Sequence, residues 1–433
     1  MEKQKILRPM KKYKQLVNDL YPLHRTILSY DMYKSHELLK TFIGEQNYTV
    51  SKYASGTPVL DWQIPDLYDV KEAYIENQTT GERILDFKDS SLHILSYSKP
   101  VDKVLSFDEL KQHLYTAPGV PDGIPWKFSY YDQSRWAFCL SQNQLEKLDT
   151  SAKYRVKIVS SFIKDYLLIG EAFIRGQLDD EILILSNVCH PYQVNDSITG
   201  VVNALYLYEN LKAKTCTYSY RFLFLPEMIG TITYVSQNSE AMKNVKYGFF
   251  SEMLGNDDSL KLQHSFVGDS LLDKAFGLVA DKHKALPSDY QKVVKNDEFV
   301  LNAPGIDIPA VSVSRSRKVM DSFDGYHTSH DNPSNLNWDR INEALDYTCE
   351  AIDILDKNFI PKRTYIGPPF YSKTHLWDKY CTKMKSKEEI DAIIFYIDNK
   401  RSILEIAHES GIAVELCYMF IHDLLELGYV TKG

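Results

Sequence analysis

The segment EILILSNVCHPYQVNDSITGVVNALYLYENLKA, residues 181–213, passes from an unbroken apolar run through a short polar turn into a helix-like stretch. An apolar run that does not alternate belongs to a strand covered on both faces, which predicts a sheet lying between helix layers. The turn carries His190 and Asp196. In an open α/β sheet, ligands bind there, beyond the carboxyl ends of the strands.

The same alternation continues outward. YSYRFLFLP, VKYGFFSEML and IPAVSVSR read as further strands, with helix-like segments such as SLLDKAFGLVADKHKAL between them. Together they predict an α/β domain with a mixed central sheet. Apolar residues at helical spacing over 10–45 predict two opening helices. Residues 48–125 change to short aromatic and β-branched runs punctuated by SGTP, NQTTGE and GVPDGIP, the texture of a compact, mostly β module. From 366 the chain predicts three short amphipathic helices, a turn at Gly411 and a closing GYV, a winged-helix-like unit. Acids are as common as bases along its last two helices, and VELCYMFIHDLLEL is no basic recognition helix. A docking or dimer module is therefore expected over a DNA reader.

A chain of 433 residues exceeds one small core, and 44% hydrophobic with 25% charged residues is ordinary globular composition. The net charge of -8 argues against a general binder of nucleic acid or anionic membranes. The charged N-terminus has no apolar leader-like run, and nowhere do enough apolar residues follow one another to span a bilayer, so a cytoplasmic protein is expected. Six cysteines without a CxxC pair suit reduced, buried thiols, Cys189 among them as a small residue ending a strand. Ser251 and Ser270 lack the glycine frame of a serine nucleophile.

Polar residues end several buried runs. ILILSNVCH delivers His190 with Asp196 behind it, RFLFLPE delivers Glu227, YGFFSE delivers Glu252, and SFDGYHTSHDNP carries His327, His330 and Asp331 after PAVSVSR. Imidazoles and carboxylates at one rim predict a nitrogen and oxygen site for zinc, manganese or cobalt. Asp297 and Arg315 fall on loops expected near that rim, where they are candidates for substrate binding.

CHPYQVND, PEMIG, SEMLG and HTSHD, in that order, resemble the motifs of the co-catalytic zinc aminopeptidases: His and Asp after one strand, Glu-Glu-x-Gly after the next, Asp-Met-x-Gly, then His-Thr-x-x-Asp. YPLHRTILS, SGTPVLDWQIP, SSLHILSYSKPV, IPWKFSYY and WAFCLS extend the likeness along almost the whole chain. They are similar to a bacterial family of aminopeptidase-like proteins associated with polysaccharide biosynthesis.

The resemblance implies a zinc-aminopeptidase-like α/β domain from 1–48 and 126–365, an inserted β module at 49–125 and a winged-helix domain at 366–433. It makes His190, Asp196, Glu252 and His327 the metal ligands, with Asp196 central and Glu252 where those enzymes carry an aspartate. Glu227 becomes the general base. Thr328 and Asp331 are expected to orient His327. Met228 stands where the dinuclear enzymes place a second glutamate ligand, so one well-held zinc is expected, with the second weak or absent. The implied activity is a metal-dependent hydrolase of a small peptide or amide, with a homo-oligomer or a protein partner formed through the winged helix. A noncatalytic metal-holding assembly protein is the alternative.

Overall fold

The computed structural model describes residues 10–370, 373–384 and 387–433. A mixed sheet of eight strands lies at its centre. These are β1 (Thr49–Ala54), β2 (Tyr166–Ile174), β3 (Glu181–Asn187), β4 (Ser219–Leu225), β5 (Val245–Glu252), β6 (Lys261–Gln263), β7 (Leu286–Ser288) and β8 (Ala310–Ser314). Their spatial order is β1-β2-β4-β3-β5-β8-β6-β7. All seven residues of β3 are buried, as the unbroken apolar run predicts for an inner strand. β4, β3, β5 and β8 are mutually parallel, so Asn187, Leu225, Glu252 and Ser314 end at one rim. β1 and β2 extend the sheet antiparallel on one side.

Successive strand residues face opposite sides, and two helix layers use them in turn. Ile184 and Phe249 pack with Leu16 of α1 (Met10–Leu20), Leu39 of α2 (Tyr30–Ile43) and Val201 of α3 (Ile198–Lys212). Leu183, Leu185 and Phe250 pack on the other side with Ile229 and Ile232 of α4 (Ile229–Gln237) and with Leu301. The layer with α3 also includes Phe276 of α5 (Leu271–Ala280) and Leu345 of α6 (Trp338–Asp356). α3 starts hard against β5: a Cβ at Gly200 would lie 2.0 Å from the Ser251 carbonyl oxygen. Only glycine permits that approach, which pins the helix start just behind Asp196.

A second, antiparallel sheet has the order Arg83–Asp86, Leu67–Asn77, Lys153–Ile163, Val101–Ser106. Ile75, Phe138, Tyr154 and Val156 form its own core. Beside the expected module at 49–125, its strands run from 67 to 163, while Thr49–Ala54 forms the edge of the central sheet. The chain between these strands returns to the rim, where Trp126 N–H donates to the His327 carbonyl at 2.7 Å.

The C-terminal stretch contains helices Lys387–Tyr396, Ile403–Ser410 and Val414–Glu426, and Val430–Lys432 pairs antiparallel with Pro361–Arg363. Leu404, Ile406, Phe420 and Leu424 share one buried cluster with α5 and α6. All six cysteines are free, and Cys139, Cys189, Cys216 and Cys417 are buried. Among the described residues no helix is long and apolar enough to cross a membrane.

Candidate metal centre

The parallel strands deliver their polar ends together. One ligand atom from each of His190, Asp196 and His327 lies within 4.8 Å of the other two. His327 Nε2 is 3.0 Å from Asp196 Oδ2, and His190 Nε2 is 3.0 Å from Glu227 Oε2. His190 and Asp196 are buried, whereas the side chains of Glu227 and His327 are 30% and 21% exposed, so solvent reaches the group through these two. His190, Met228, Met253 and His327 all take left-handed backbone conformations, with φ between 54° and 76°. Such conformations cost on the order of 1–3 kcal/mol each and are held by their surroundings.

The electrostatics favour a cation. Burial alone disfavours a charged His190, yet Cys189, Asp196 and Glu227 outweigh it and hold the imidazole pKa well above its usual value. Burial raises the Asp196 pKa, but His190, His327 and Arg25 reverse the shift and keep it below the usual range. The carboxylates of Asp196 and Glu227 gathered around His190 make a negative field that favours a divalent cation in the same place, which the imidazoles would bind in their neutral form. Two imidazoles and a carboxylate match the donor set of zinc sites, and the solvent-facing side leaves a position for substrate. The residues therefore fit zinc.

Glu252, at the end of β5, is fully buried. Its Oε1 accepts from Asn296 Nδ2 at 2.5 Å, while Oε2 has no hydrogen-bond partner among the described residues. Burial, then Asp196 and Glu227, drive its pKa well above normal. It borders the group without belonging to the tight His190–Asp196–His327 triangle. Met228 is half-buried and packs with the α4-side core.

Asp297 is buried against the turn that follows β4. Its Oδ1 accepts from Met228 N–H at 3.2 Å and from the Thr231 hydroxyl, and burial pushes its pKa up to about 7. Arg315 differs from expectation. It is buried, and its guanidinium donates to the carbonyls of Leu254, Asp258 and Arg340 and to Glu343. A cation committed to that set ties loops together and is not presented to a substrate. His330 pairs with Asp122 at 3.1 Å, leaving His327 as the imidazole that meets Asp196. Asp331 acts on Asn195 and Asp196, whose N–H groups it accepts at 2.7 and 3.0 Å, and Thr328 caps the Gly325 carbonyl through its hydroxyl. Neither makes a side-chain hydrogen bond to the His327 ring. A cavity of about 620 Å³ adjoins Asn195 and Asp331, lined by Asp122, Phe323 and His330 and not by the three clustered ligands.

Sequence reading missed three residues. Trp126 packs edge-on against the rings of both His190 and His327 with centroids 4.6 Å away, and Tyr326 stacks on His327 at 3.8 Å. The third is Arg25, which reaches the loop carrying His190. Its signal was a lone cation inside the apolar YPLHRTILS.

A Clostridium acetobutylicum protein named "putative polysaccharide biosynthesis protein with aminopeptidase-like domain" is 35% identical over 408 residues, covering 92% of this chain and 90% of its own. The crystal structure of a "putative peptidase" from the same species matches with a TM-score of 0.86 and 31% identity, covering 98% of this chain and 96% of that one. A zinc aminopeptidase from Bacillus subtilis shares the fold at 14% identity, with a TM-score of 0.59 over 79% of this chain and 93% of that one. The family described as a domain of unknown function, DUF4910, matches residues 14–358, and by that span and the near full-length likeness to the C. acetobutylicum protein this chain is a member of that family, built on an aminopeptidase-like fold.

Proposed function

We propose that this protein is a zinc-dependent, aminopeptidase-like hydrolase of an amide bond in a peptide or an amino-sugar-linked substrate. The observation that carries it is the convergence of His190, Asp196 and His327 with Glu227 beside them and open to solvent. In this reading His190, Asp196 and His327 hold the ion, and Glu252 adds its unpartnered oxygen. When bound, zinc supplies Lewis acidity toward water and toward the amide carbonyl. Glu227 takes the proton of the attacking water on a carboxylate oxygen and returns it to the leaving amine nitrogen. Trp126, buried and edge-on to both imidazoles, shields them from water on that side. Asp297 supports the turn that carries Glu227 and Met228.

The sugar-linked substrate class draws its support from the name of the C. acetobutylicum relative. The free, mostly buried thiols support work in the reducing cytoplasm. The C-terminal helices with their two-stranded ribbon support a winged-helix-like docking unit, for a protein partner or a second copy. Met228 favours a second reading, a metal-holding assembly protein without turnover, because it removes a carboxylate from the site.

Zinc content by mass spectrometry, with hydrolysis of an aminoacyl-amide panel, separates the readings. For the hydrolase, wild type carries zinc, His190→Ala loses it, and Glu227→Gln keeps it while turnover falls by about 10²–10⁴. Zinc retained in wild type and Glu227→Gln with no substrate turned over by either moves the assembly role ahead. No zinc in wild type even after reconstitution would sink both.

A further inference from the structure

Arg25 is fully buried in the segment between α1 and α2, and its guanidinium is spent on carbonyl oxygens. Nε donates to Leu20 O at 2.9 Å. Nη1 donates to Val188 O at 2.7 Å and Cys189 O at 2.6 Å, and Nη2 to His190 O at 2.8 Å and Gln193 O at 2.9 Å. Four of these acceptors lie in 188–193, the turn between β3 and Asp196. In an extended strand successive carbonyls point to opposite sides. Here the carbonyls of 188, 189 and 190 converge on one cation, and the left-handed backbone of His190, φ 76°, turns the chain to allow it. Burial pulls the Arg25 pKa down to about 10, partly offset by Cys189, Asp331 and Asp196, so the group stays charged at neutral pH.

We infer that Arg25 is a positioning residue for the metal centre: by gathering four carbonyls of 188–193 it holds the turn that sets the His190 ring beside Glu227 and in one cluster with Asp196 and His327. The inference rests on the reading of His190 as a metal ligand. A planar fork of five donors can satisfy such a set, whereas a lysine offers one nitrogen with three. R25K preserves the charge and removes the geometry.

Two measurements on the full chain test it. In the first, amide exchange of wild type with and without zinc is followed over 20–29 and 187–197. Zinc is expected to slow exchange in both segments together, and protection confined to 187–197 overturns the coupling. This needs no variant to fold. In the second, zinc affinity of R25K is read by competition with a chromophoric chelator, beside its metal-free unfolding midpoint. The expectation is a loss of about tenfold to a hundredfold in affinity in folded protein. R25K that is less stable but binds zinc as tightly as wild type overturns the inference and leaves Arg25 a purely structural group. Wild type that takes up no zinc defeats the metal reading itself and this inference with it, an outcome seen before any variant is made.

Discussion

Asp331 Oδ2 accepts the backbone N–H of Asp196 at 3.0 Å, so an acid late in the chain holds the peptide that presents another acid 135 residues earlier. Its other oxygen takes the Asn195 N–H at 2.7 Å. Burial pushes the Asp331 pKa up to about 7 in spite of these donors, and the Asp196 charge adds to the rise.

Asp331→Asn keeps one acceptor and turns an amide donor toward the second N–H. Stability is expected to fall by about 1–3 kcal/mol, the cost of a buried unsatisfied donor. Zinc affinity is expected to fall about tenfold or more, because a partner behind the ligand is lost. Urea unfolding and chelator competition read the two effects; zinc binding at wild-type strength would show that Asp196 needs no such brace.

Met228→Glu restores a carboxylate on the turn that carries Glu227. The variant is expected to take up an additional equivalent of zinc over wild type, since oxygen donors suit zinc where a thioether does not. Mass spectrometry of metal per chain decides it, and an unchanged ratio means position 228 does not face the ion.

Arg221 on β4 ties the sheet together away from the rim. It binds Glu181 with two hydrogen bonds, at 2.7 and 2.9 Å, and Glu171 with one at 2.6 Å. Arg221→Met strands the buried Glu181 carboxylate, while Glu171 keeps the Tyr234 hydroxyl, and is expected to cost about 3 kcal/mol. Zinc content per folded chain should not change, because these groups lie at the opposite end of β3 from His190. A denaturant midpoint that stays at the wild-type value refutes the assignment.

His24 and His36 are buried, and burial lowers each pKa from 6.5 to about 4. The sign follows from linkage: a folded-state pKa below the unfolded one gives stability that is complete above 6.5 and is lost as pH falls toward 4. Buried Asp297 and Glu298, raised to about 7 and about 8, act with the opposite sign, so the total slope does not isolate the imidazoles. The deficit of His36→Gln relative to wild type does. It is expected to shrink by roughly 3 kcal/mol across the window from neutral pH to about 4. A deficit that is constant with pH would mean that His36 titrates normally in the folded protein.

What could be read before the structure was what repeats locally. The run through Ile182 and Leu185 announces an inner strand, and the polar residues that follow such runs announce a rim, where the structure brings His190, Asp196, Glu227 and His327 close to one another. What could not be read depends on distant partners. The strand Lys153–Ile163 looks like any other until it pairs with Leu67–Asn77, some eighty positions back. Arg315 looked like a rim cation because a loop position says nothing about which carbonyls will enclose it. The lone cation Arg25 stands out in its segment, but neither it nor Trp126 shows in the sequence which site it serves, because each reaches that site across more than sixty positions.

The buried cluster that begins at Tyr13 closes only with Leu404, Ile406, Phe420 and Leu424 near the other terminus. Synthesis proceeds from the first of these to the last, so the emerging polypeptide carries an unfinished hydrophobic face until those helices have been made. A nascent chain arrested before Ile403 is expected to remain open to protease along α5 and α6 and to recruit chaperones, and release of the finished protein is expected to end both. Protection already complete in the arrested chain would show that the last helices are fastened on afterwards.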